Sequence, residues 1–109
     1  MTRRNLPDGA QASQLSHAFI EFIVKYPADA LMWHKHSNYV ALLAAKDEEE
    51  LKALMAKADK KGIKYVAFYE PALDNHLTSV CFEPTDASRR LTSSIPLALK
   101  PKAQELQAA

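Results

Sequence analysis

Four histidines are the first side chains in this sequence whose chemistry suggests a site, because neutral imidazole binds zinc and other transition metals. His34 and His36 would share one face of an extended segment, and His76 is a third candidate ligand. No carboxylate or cysteine is suitably placed beside them in the sequence. The spacing therefore does not favour a metal centre, and we expect neither a metal ion nor another cofactor.

The single cysteine points to a structural role. Cys81 cannot form a disulfide within the chain, and a zinc site built from several cysteines is excluded. It stands between Val80 and Phe82 in an apolar run, which is typical of a buried strand residue and not of a nucleophile. No apolar run approaches the roughly 18 residues that span a membrane. These features predict a cytoplasmic protein without a membrane segment.

Basic residues form short clusters in a chain whose formal net charge is only +1. Arg3 and Arg4 open the chain, and Arg89 and Arg90 stand near its end. Such clusters are typical of a solvated, mixed surface, and they make a basic patch only if the fold brings them together. The free backbone N–H groups that follow Gly9 at a predicted helix start are a further candidate for binding phosphate or carboxylate.

The elements that position these side chains begin with a helix. The length of 109 residues indicates a single domain. Apolar residues recur with a helical period from about residue 9 to 25, and Pro27 ends the pattern. Ile20 and Val24 widen the apolar stripe, so we expect this helix to be covered on more than one side. The stripe itself consists of Ala12, Leu15, Phe19, Phe22, Ile23 and Tyr26.

A strand, a helix and a second strand are predicted next. Residues 28–38 are interpreted as a loop, and the nearly all-apolar run 39–45 predicts a strand buried on both faces. Asp47 with Glu50 three residues later predicts the start of a helix, and Gly62 predicts its end. Residues 63–69 predict the second strand. This order predicts a βαβ unit with parallel strands and a right-handed crossover.

The last third of the chain predicts smaller elements. After a loop over 70–76, residues 77–82 predict a third strand and residues 87–92 a short helix. Residues 100–109 are interpreted as a polar tail to a single domain spanning 1–99. The predicted architecture is a three-layer α/β/α domain with a small mixed sheet of three or four strands.

Two segments of the chain resemble a known family. The second-type peptidyl-tRNA hydrolases open their first helix with Gly-Lys-x-Ala-Ala-Gln-x-x-His-Ala, and residues 9–18 match at Gly9, Ala12, Gln14, His17 and Ala18. The segment Asp74-Asn75-His76-Leu77-Thr78 resembles the Asp-x-x-x-Thr loop of that family. Asp47 to Leu51 resembles its acidic helix start. The resemblance spans about residues 2 to 99, and it implies this family's α/β fold.

Departures from the family pattern bear on activity. The lysine of the family falls at Ala10, which carries no charge and no exchangeable proton. The family also begins with a full strand, whereas residues 2–6 resemble only its end, so that strand is mostly absent or the true start lies upstream of Met1. The chain is similar to a bacterial and phage branch of the fold that lacks the lysine. Trp33-His34, Ser37-Asn38-Tyr39 and Glu70-Pro71 carry that similarity.

The resemblance implies an ester hydrolase that acts on the acceptor end of tRNA. Asp74 would orient or activate water, and Thr78 would donate a hydrogen bond to the ester oxygen. His17 and Gln14, three residues apart on one helical face, would shape the site. Arg3 or Arg4 would contact phosphate and replace the missing lysine.

Each of these residues also has a structural interpretation. Asp74 beside Asn75 is typical turn chemistry, and Thr78 fits the β-propensity of a strand start. His17, like Gln14, fits a structural side chain bonded to nearby backbone. At the level of the whole protein, the alternative to a hydrolase is a non-catalytic relative that binds or regulates on the same scaffold. A third possibility is a self-associating protein, for instance a homodimer that covers an open sheet edge.

Overall fold

The computed structural model describes residues 1–100 and shows a mixed α/β fold with four strands, which confirms the predicted fold class. A short 3₁₀ turn covers Pro71–Leu73, inside the predicted loop. The elements are β1 (Thr2–Arg3), α1 (Asp8–Lys25), α2 (Pro27–His36), β2 (Ala44–Ala45), α3 (Glu48–Lys61), β3 (Tyr65–Glu70), β4 (His76–Phe82) and α4 (Asp86–Leu91).

The sheet has the strand order β2-β1-β4-β3. β1 runs parallel to β2 and antiparallel to β4, and β3 and β4 form an antiparallel hairpin. The two strands of the predicted βαβ unit therefore point the same way, but they lie at opposite edges of the sheet with β1 and β4 between them. The prediction of the crossover missed this because a two-residue β1 gives almost no sequence signal.

The caps of α3 are those that the sequence predicts. The Asp47 carboxylate accepts a hydrogen bond from the Glu50 N–H at 3.0 Å. Glu50 in turn accepts from the Lys46 N–H at 2.8 Å, one residue before the position expected in a capping box. Gly62 ends the helix in the left-handed region with φ of 67°. These local bonds define α3 independently of its packing.

α1 spans nearly the predicted range, but it is buried on one side only. Leu15, Ala18 and Phe22 are buried against the sheet, together with two polar residues, Gln11 and Gln14. The expectation that Ile20 and Val24 are covered was wrong, since they are 57% and 72% exposed. Ala12 is exposed as well. The stripe that meets the sheet is thus narrower and more polar than the apolar pattern indicated.

Most of the predicted loop 28–38 is helical, because α2 continues to His36. Pro27 is compatible with the first turn of a helix, so it ends α1 and also starts α2. Asp29 lies in the first turn of α2, and the basic residues His34, Lys35 and His36 lie in its last turn, which suits the helix dipole. The loop prediction was wrong because it took Pro27 only as the end of one helix and not as the start of the next.

The apolar run 39–45 is not a fully buried strand. Only Ala44 and Ala45 pair with β1, and they are buried. Tyr39, Val40 and Leu42 are 64%, 48% and 45% exposed. On the side that faces β1 the run is unpaired over most of its length, because β1 is so short.

Helices cover the sheet on both sides, as predicted for a three-layer domain. α1 packs on β3 and β4, and α2 packs on α1. The opposite face carries α3 and α4, whose Leu51, Leu54 and Leu91 form one buried cluster with Leu77 and Val80 of β4. This arrangement places the start of α1 beside the β3–β4 hairpin.

The remaining predictions concern single residues and the end of the chain. Cys81 lies in β4, as predicted, and burial raises the pKa of its thiol. Among residues 1–100 no helix is long and apolar enough to cross a membrane. The predicted polar tail 100–109 lies, apart from Lys100, outside the described residues.

Candidate functional site

A chain of polar side chains joins α1 to the β3–β4 hairpin. The Thr78 hydroxyl donates to Gln14 Oε1 at 2.5 Å, and Gln14 Nε2 lies 3.4 Å from Glu70 Oε1. Thr78 is fully buried and Gln14 is 5% exposed. The sequence predicted Gln14 and Thr78 as site residues, and the structure brings them into direct contact beneath the surface.

A β-bulge explains why Thr78 faces α1. Phe68 pairs with Ser79 and Tyr69 pairs with Leu77, so Thr78 is the extra residue on β4. A bulge turns a side chain away from the regular alternation of a strand. The displaced hydroxyl meets Gln14, and no sequence signal marks this bulge.

His17 lies one turn after Gln14 on the exposed side of α1. Its ring stacks on Phe68, with centroids 4.5 Å apart and planes 3° from parallel. Among the described residues it makes no hydrogen bond to the backbone, which was the predicted structural role. His17 is therefore held by stacking, and both ring nitrogens are left to solvent or a ligand.

Asp74 lies at the tip of the hairpin in the left-handed region, with φ of 52°, and Asn75 follows with φ of 58°. Asparagine and aspartate tolerate this conformation better than most residues, so turn chemistry accounts for the position. The side chain is exposed, and within residues 1–100 its carboxylate makes no hydrogen bond or ion pair. The carboxylate is thus free for chemistry, while no direct contact joins it to Thr78.

The two N-terminal arginines have different environments. The Arg3 guanidinium lies 3.4 Å from Glu48 Oε2, and its side chain is 14% exposed. Its buried Nε has no hydrogen-bond partner among the described residues. Arg4 is exposed, and its carbonyl accepts from Gln11 Nε2 of α1 at 3.4 Å. Arg4 is accordingly the arginine that is available beside α1.

Sequence reasoning missed a cluster around Glu48. Its Oε2 lies 3.0 Å from His76 Nδ1, and its Oε1 lies 3.2 Å from Lys52 Nζ. Burial by itself would raise the pKa of Glu48, but hydrogen bonds from Lys52 and His76 outweigh burial and lower it. Glu48 looks in sequence like one more acidic residue at a helix start, so only the tertiary structure shows the cluster.

We predict that the free energy of unfolding falls less on acidification in Glu48→Gln than in the wild type. A carboxyl whose pKa is lower in the folded state stabilises the fold above its unfolded pKa, and this contribution is lost as pH falls through the folded pKa. The free energy of unfolding, from urea titrations at about pH 7 and about pH 4, should differ less in the variant than in the wild type. Glu49→Gln is the control, because the Glu49 side chain is 84% exposed. An equal effect of both variants would contradict the assignment.

The start of α1 offers no built anion site. Gly9 is exposed, and a Cβ added there would meet nothing within 4 Å, so close packing does not require glycine. Asp8 occupies the first turn, where its negative charge opposes an anion.

Ala10 is half-buried, four residues before Gln14 and seven before His17. These three residues therefore share one face of the helix.

The three candidate metal ligands do not come together. His34 and His36 lie in α2 and not in an extended segment, and His34 Nδ1 lies 3.4 Å from Asn38 Oδ1. His76 is engaged with Glu48. In the part of the chain that the structure describes, no three histidine, cysteine or acidic residues are grouped so that they could hold a metal ion.

Comparison with known proteins identifies one family. The sequence model of the family described as Peptidyl-tRNA hydrolase PTH2 matches residues 2–101 of the chain. No curated protein sequence matches the chain. The matched range contains every residue of the site described above.

Proposed function

We propose, because the chain belongs to the peptidyl-tRNA hydrolase family PTH2, that it hydrolyses the ester at the acceptor end of peptidyl-tRNA. The observation that carries this proposal is the polar chain from Thr78 through Gln14 to Glu70. It lies where the first turns of α1 meet the hairpin that presents Asp74. Replacing both partners of a buried hydrogen bond by apolar groups of the same shape can be nearly neutral or even stabilising, so stability alone does not explain this polar chain and a functional reason is favoured.

In the proposed reaction, a water molecule attacks the ester carbonyl and the ribose hydroxyl leaves. Asp74 holds this water and accepts its proton, since its carboxylate is exposed and free of ion pairs among the described residues. The protonated Asp74 then gives this proton to the ribose oxygen as the bond between that oxygen and the carbonyl carbon breaks. His17, stacked on Phe68, forms one wall of the site. Thr78 is fully buried and acts through Gln14, so it is a positioning residue and not a direct donor to the ester.

The positive charge that the family lysine would supply comes, in this proposal, from Arg4. Arg3 is paired with Glu48 of α3. Arg4 lies in the turn between β1 and α1, where its side chain is exposed and its carbonyl accepts from Gln11 Nε2 of α1. It contacts phosphate or the developing oxyanion. One such donor typically contributes about 3 kcal/mol to the stability of a transition state.

The role of Thr78 is tested by Thr78→Val, which has nearly the same shape but leaves Gln14 Oε1 without its donor. We expect kcat for an N-blocked aminoacyl-tRNA to fall about tenfold or more with KM little changed, because a small misplacement of a site residue is costly. Thr78→Ser should restore most of the rate. A purely structural role would give the same loss of stability and no change in kcat.

The matched control is Thr2→Val, at an equally buried threonine on the neighbouring strand. Its hydroxyl bonds to the Thr78 carbonyl and has no contact with Gln14. This variant is expected to lose stability and to keep kcat. A comparable loss of kcat in both variants would show that the Gln14 contact is not the cause.

A second candidate function is a non-catalytic protein that binds the same tRNA end. Ala10 favours it, since the charge expected on that face of α1 is missing.

We also propose that the chain belongs to the bacterial and phage branch without the lysine, and that it is located in the cytoplasm. We also propose a homodimer, supported by the exposed apolar residues Ile20 and Val24 of α1 and Leu31 and Met32 of α2. A strictly monomeric protein in sedimentation velocity would remove the homodimer.

A further inference from the structure

Among residues 1–100, the outer edge of β3 is the edge of the sheet that has no neighbouring segment. The opposite edge, at β2, is covered, because the Ala44 N–H donates to the Pro96 carbonyl and the Ala98 N–H donates to the Leu42 carbonyl. β3 pairs with β4 on one side, and its other main contact is α1, which packs on its face. The outer side of β3 is therefore available to a further strand.

Three residues of β3 direct their main-chain groups to this outer edge. On the inner side, the Lys64 carbonyl accepts a hydrogen bond from the Glu83 N–H. Main-chain groups point to alternate sides along an antiparallel strand, so every second residue after Lys64 faces β4 and the residues between them face outward. The outward residues are Tyr65, Ala67 and Tyr69. Within the described part of the chain, no segment pairs with them on that side.

The outer edge of β3 lacks the features that usually protect a sheet edge. Natural proteins place charges, prolines or bulges on such edges and so prevent unwanted pairing. Residues 65–69 contain no charged residue, no proline and no glycine. The extra residue of the bulge, Thr78, is on β4 and not on β3. Tyr69 is 48% exposed. These features favour pairing of this edge with another strand.

The outward groups are arranged symmetrically about Ala67. When two β3 strands pair antiparallel about a two-fold axis at Ala67, Tyr65 of each copy lies opposite Tyr69 of the other. This register gives every outward N–H and C=O of both strands a partner, whereas a shifted register leaves some of them unpaired. It also places aromatic side chains directly opposite each other, which stabilises antiparallel strands. The edge is thus complementary to itself.

The charged residues at the two ends of β3 are complementary in the same register. Lys64 lies opposite Glu70 of the second copy, and opposite charges in this position stabilise a strand pair. Both residues belong to the face that carries α1 and α2, since Lys64 bonds to Asp29 of α2 and Glu70 contacts Gln14 of α1. Glu70 is also the last residue of the polar chain that starts at Thr78. The second copy would therefore bring a positive charge beside the candidate site.

We propose that a second copy of this chain binds the outer edge of β3, with the two β3 strands antiparallel about Ala67, so that the two sheets become one. This inference rests on the homodimer proposed above and names its interface, and it does not depend on the hydrolase reaction. A second copy is favoured over an unrelated peptide because this edge matches itself in main-chain groups, aromatic residues and charge. The exposed apolar face of α1 and α2 is the competing interface.

Sedimentation velocity over a range of concentrations tests the interface with two variants of one residue. Ala67→Pro removes the N–H at the two-fold axis, and proline is tolerated where the N–H of an edge strand faces outward. Ala67→Ser is the matched control, since it keeps the N–H and nearly the size. We expect the wild type and Ala67→Ser to dimerise alike, and the dissociation constant of Ala67→Pro to rise at least about tenfold because two hydrogen bonds between the strands are lost.

The outcomes separate this interface from the homodimer itself. A dimer whose dissociation constant is the same in all three proteins would overturn the pairing through β3 and leave the face of α1 and α2 as the interface. A wild type that is monomeric at every concentration would overturn both the interface and the homodimer. Neither result changes the expectation for hydrolysis, which is measured separately.

Disulfide formation tests the register and does not depend on the stability of the proline variant. Ala67→Cys places two thiols opposite each other, with Cα atoms about 5.5 Å apart, which is within the range of a disulfide. Tyr65→Cys is the control, because its two copies lie about 14 Å apart along the strands. Both are made together with Cys81→Ser, which removes the native thiol. We expect a covalent dimer on oxidation of the Ala67→Cys protein alone. Its absence, or equal crosslinking of both proteins, would overturn the proposal.

Discussion

Asp74→Asn is expected to lower the rate of hydrolysis of N-blocked aminoacyl-tRNA by about 100-fold or more, the usual contribution of a general base. Asparagine keeps the size of the side chain and tolerates the left-handed backbone at this position, where φ is 52°. The fold should therefore remain intact. The change removes only the negative charge that would accept a proton from water.

Asp86→Asn is the control for this variant. Asp86 is also an exposed carboxylate, but it lies at the start of α4, on the α3 side of the sheet. Single-turnover rates of both variants, measured at one pH beside the wild type, isolate the role of the Asp74 charge. Wild-type rates in Asp74→Asn would remove Asp74 from the mechanism and leave turn formation as its only function.

The second large effect is expected from Ala10→Lys, which should raise hydrolysis by about 100-fold, since one well-placed donor to an oxyanion contributes about 3 kcal/mol. Position 10 lies one turn before Gln14, on the helix face that also carries His17. A lysine ammonium there would enter the region between α1 and the hairpin. Ala10 is half-buried, so the long side chain can extend along the helix to solvent.

Ala10→Met is the matched control, because methionine has a similar length and no charge. An increase with lysine alone would show that the pocket is intact and that Arg4 does not supply the full effect of the missing charge. If the wild type is inactive and Ala10→Lys is active, the protein is a non-catalytic relative on a competent scaffold. No increase in either variant would mean that position 10 does not face the reacting ester.

The helix α3 shows which features were predictable from the sequence. Its start at Asp47 and its end at Gly62 depend on hydrogen bonds and backbone angles within a few residues. Such signals are local, and they survive in any tertiary context. The family was predictable for a similar reason, because Gly9, Gln14 and Thr78 occur in the order and spacing of its motifs.

The sheet was less predictable because its pairing depends on distant residues. The run 39–45 looks like a buried strand, but only Ala44 and Ala45 pair with β1, and the large apolar residues Tyr39, Val40 and Leu42 are exposed. Pro27 looks like a stop signal, although the same ring also suits the first turn of α2. In both cases the local sequence pattern is compatible with two structures, and tertiary contacts determine which of them forms.

The sequence identifies candidate site residues but not their arrangement. Sequence placed Thr78 at the ester, whereas the bulge at Phe68 and Tyr69 buries its hydroxyl beneath Gln14. From the sequence, Arg3 and Arg4 are equivalent candidates. In the structure Arg3 is paired with Glu48, whereas Arg4 is exposed. These distinctions depend on burial and partners, which one sequence does not contain.

The most direct test of the central claim is hydrolysis of a purified N-acetylated aminoacyl-tRNA by the wild-type protein. Release of the acetylated amino acid is measured against buffer and against Asp74→Asn prepared in the same way, which controls for a contaminating hydrolase. We predict turnover by the wild type and a loss of about 100-fold or more in the variant. No turnover by the wild type, or equal turnover by both proteins, would contradict the assignment of this site as a hydrolase.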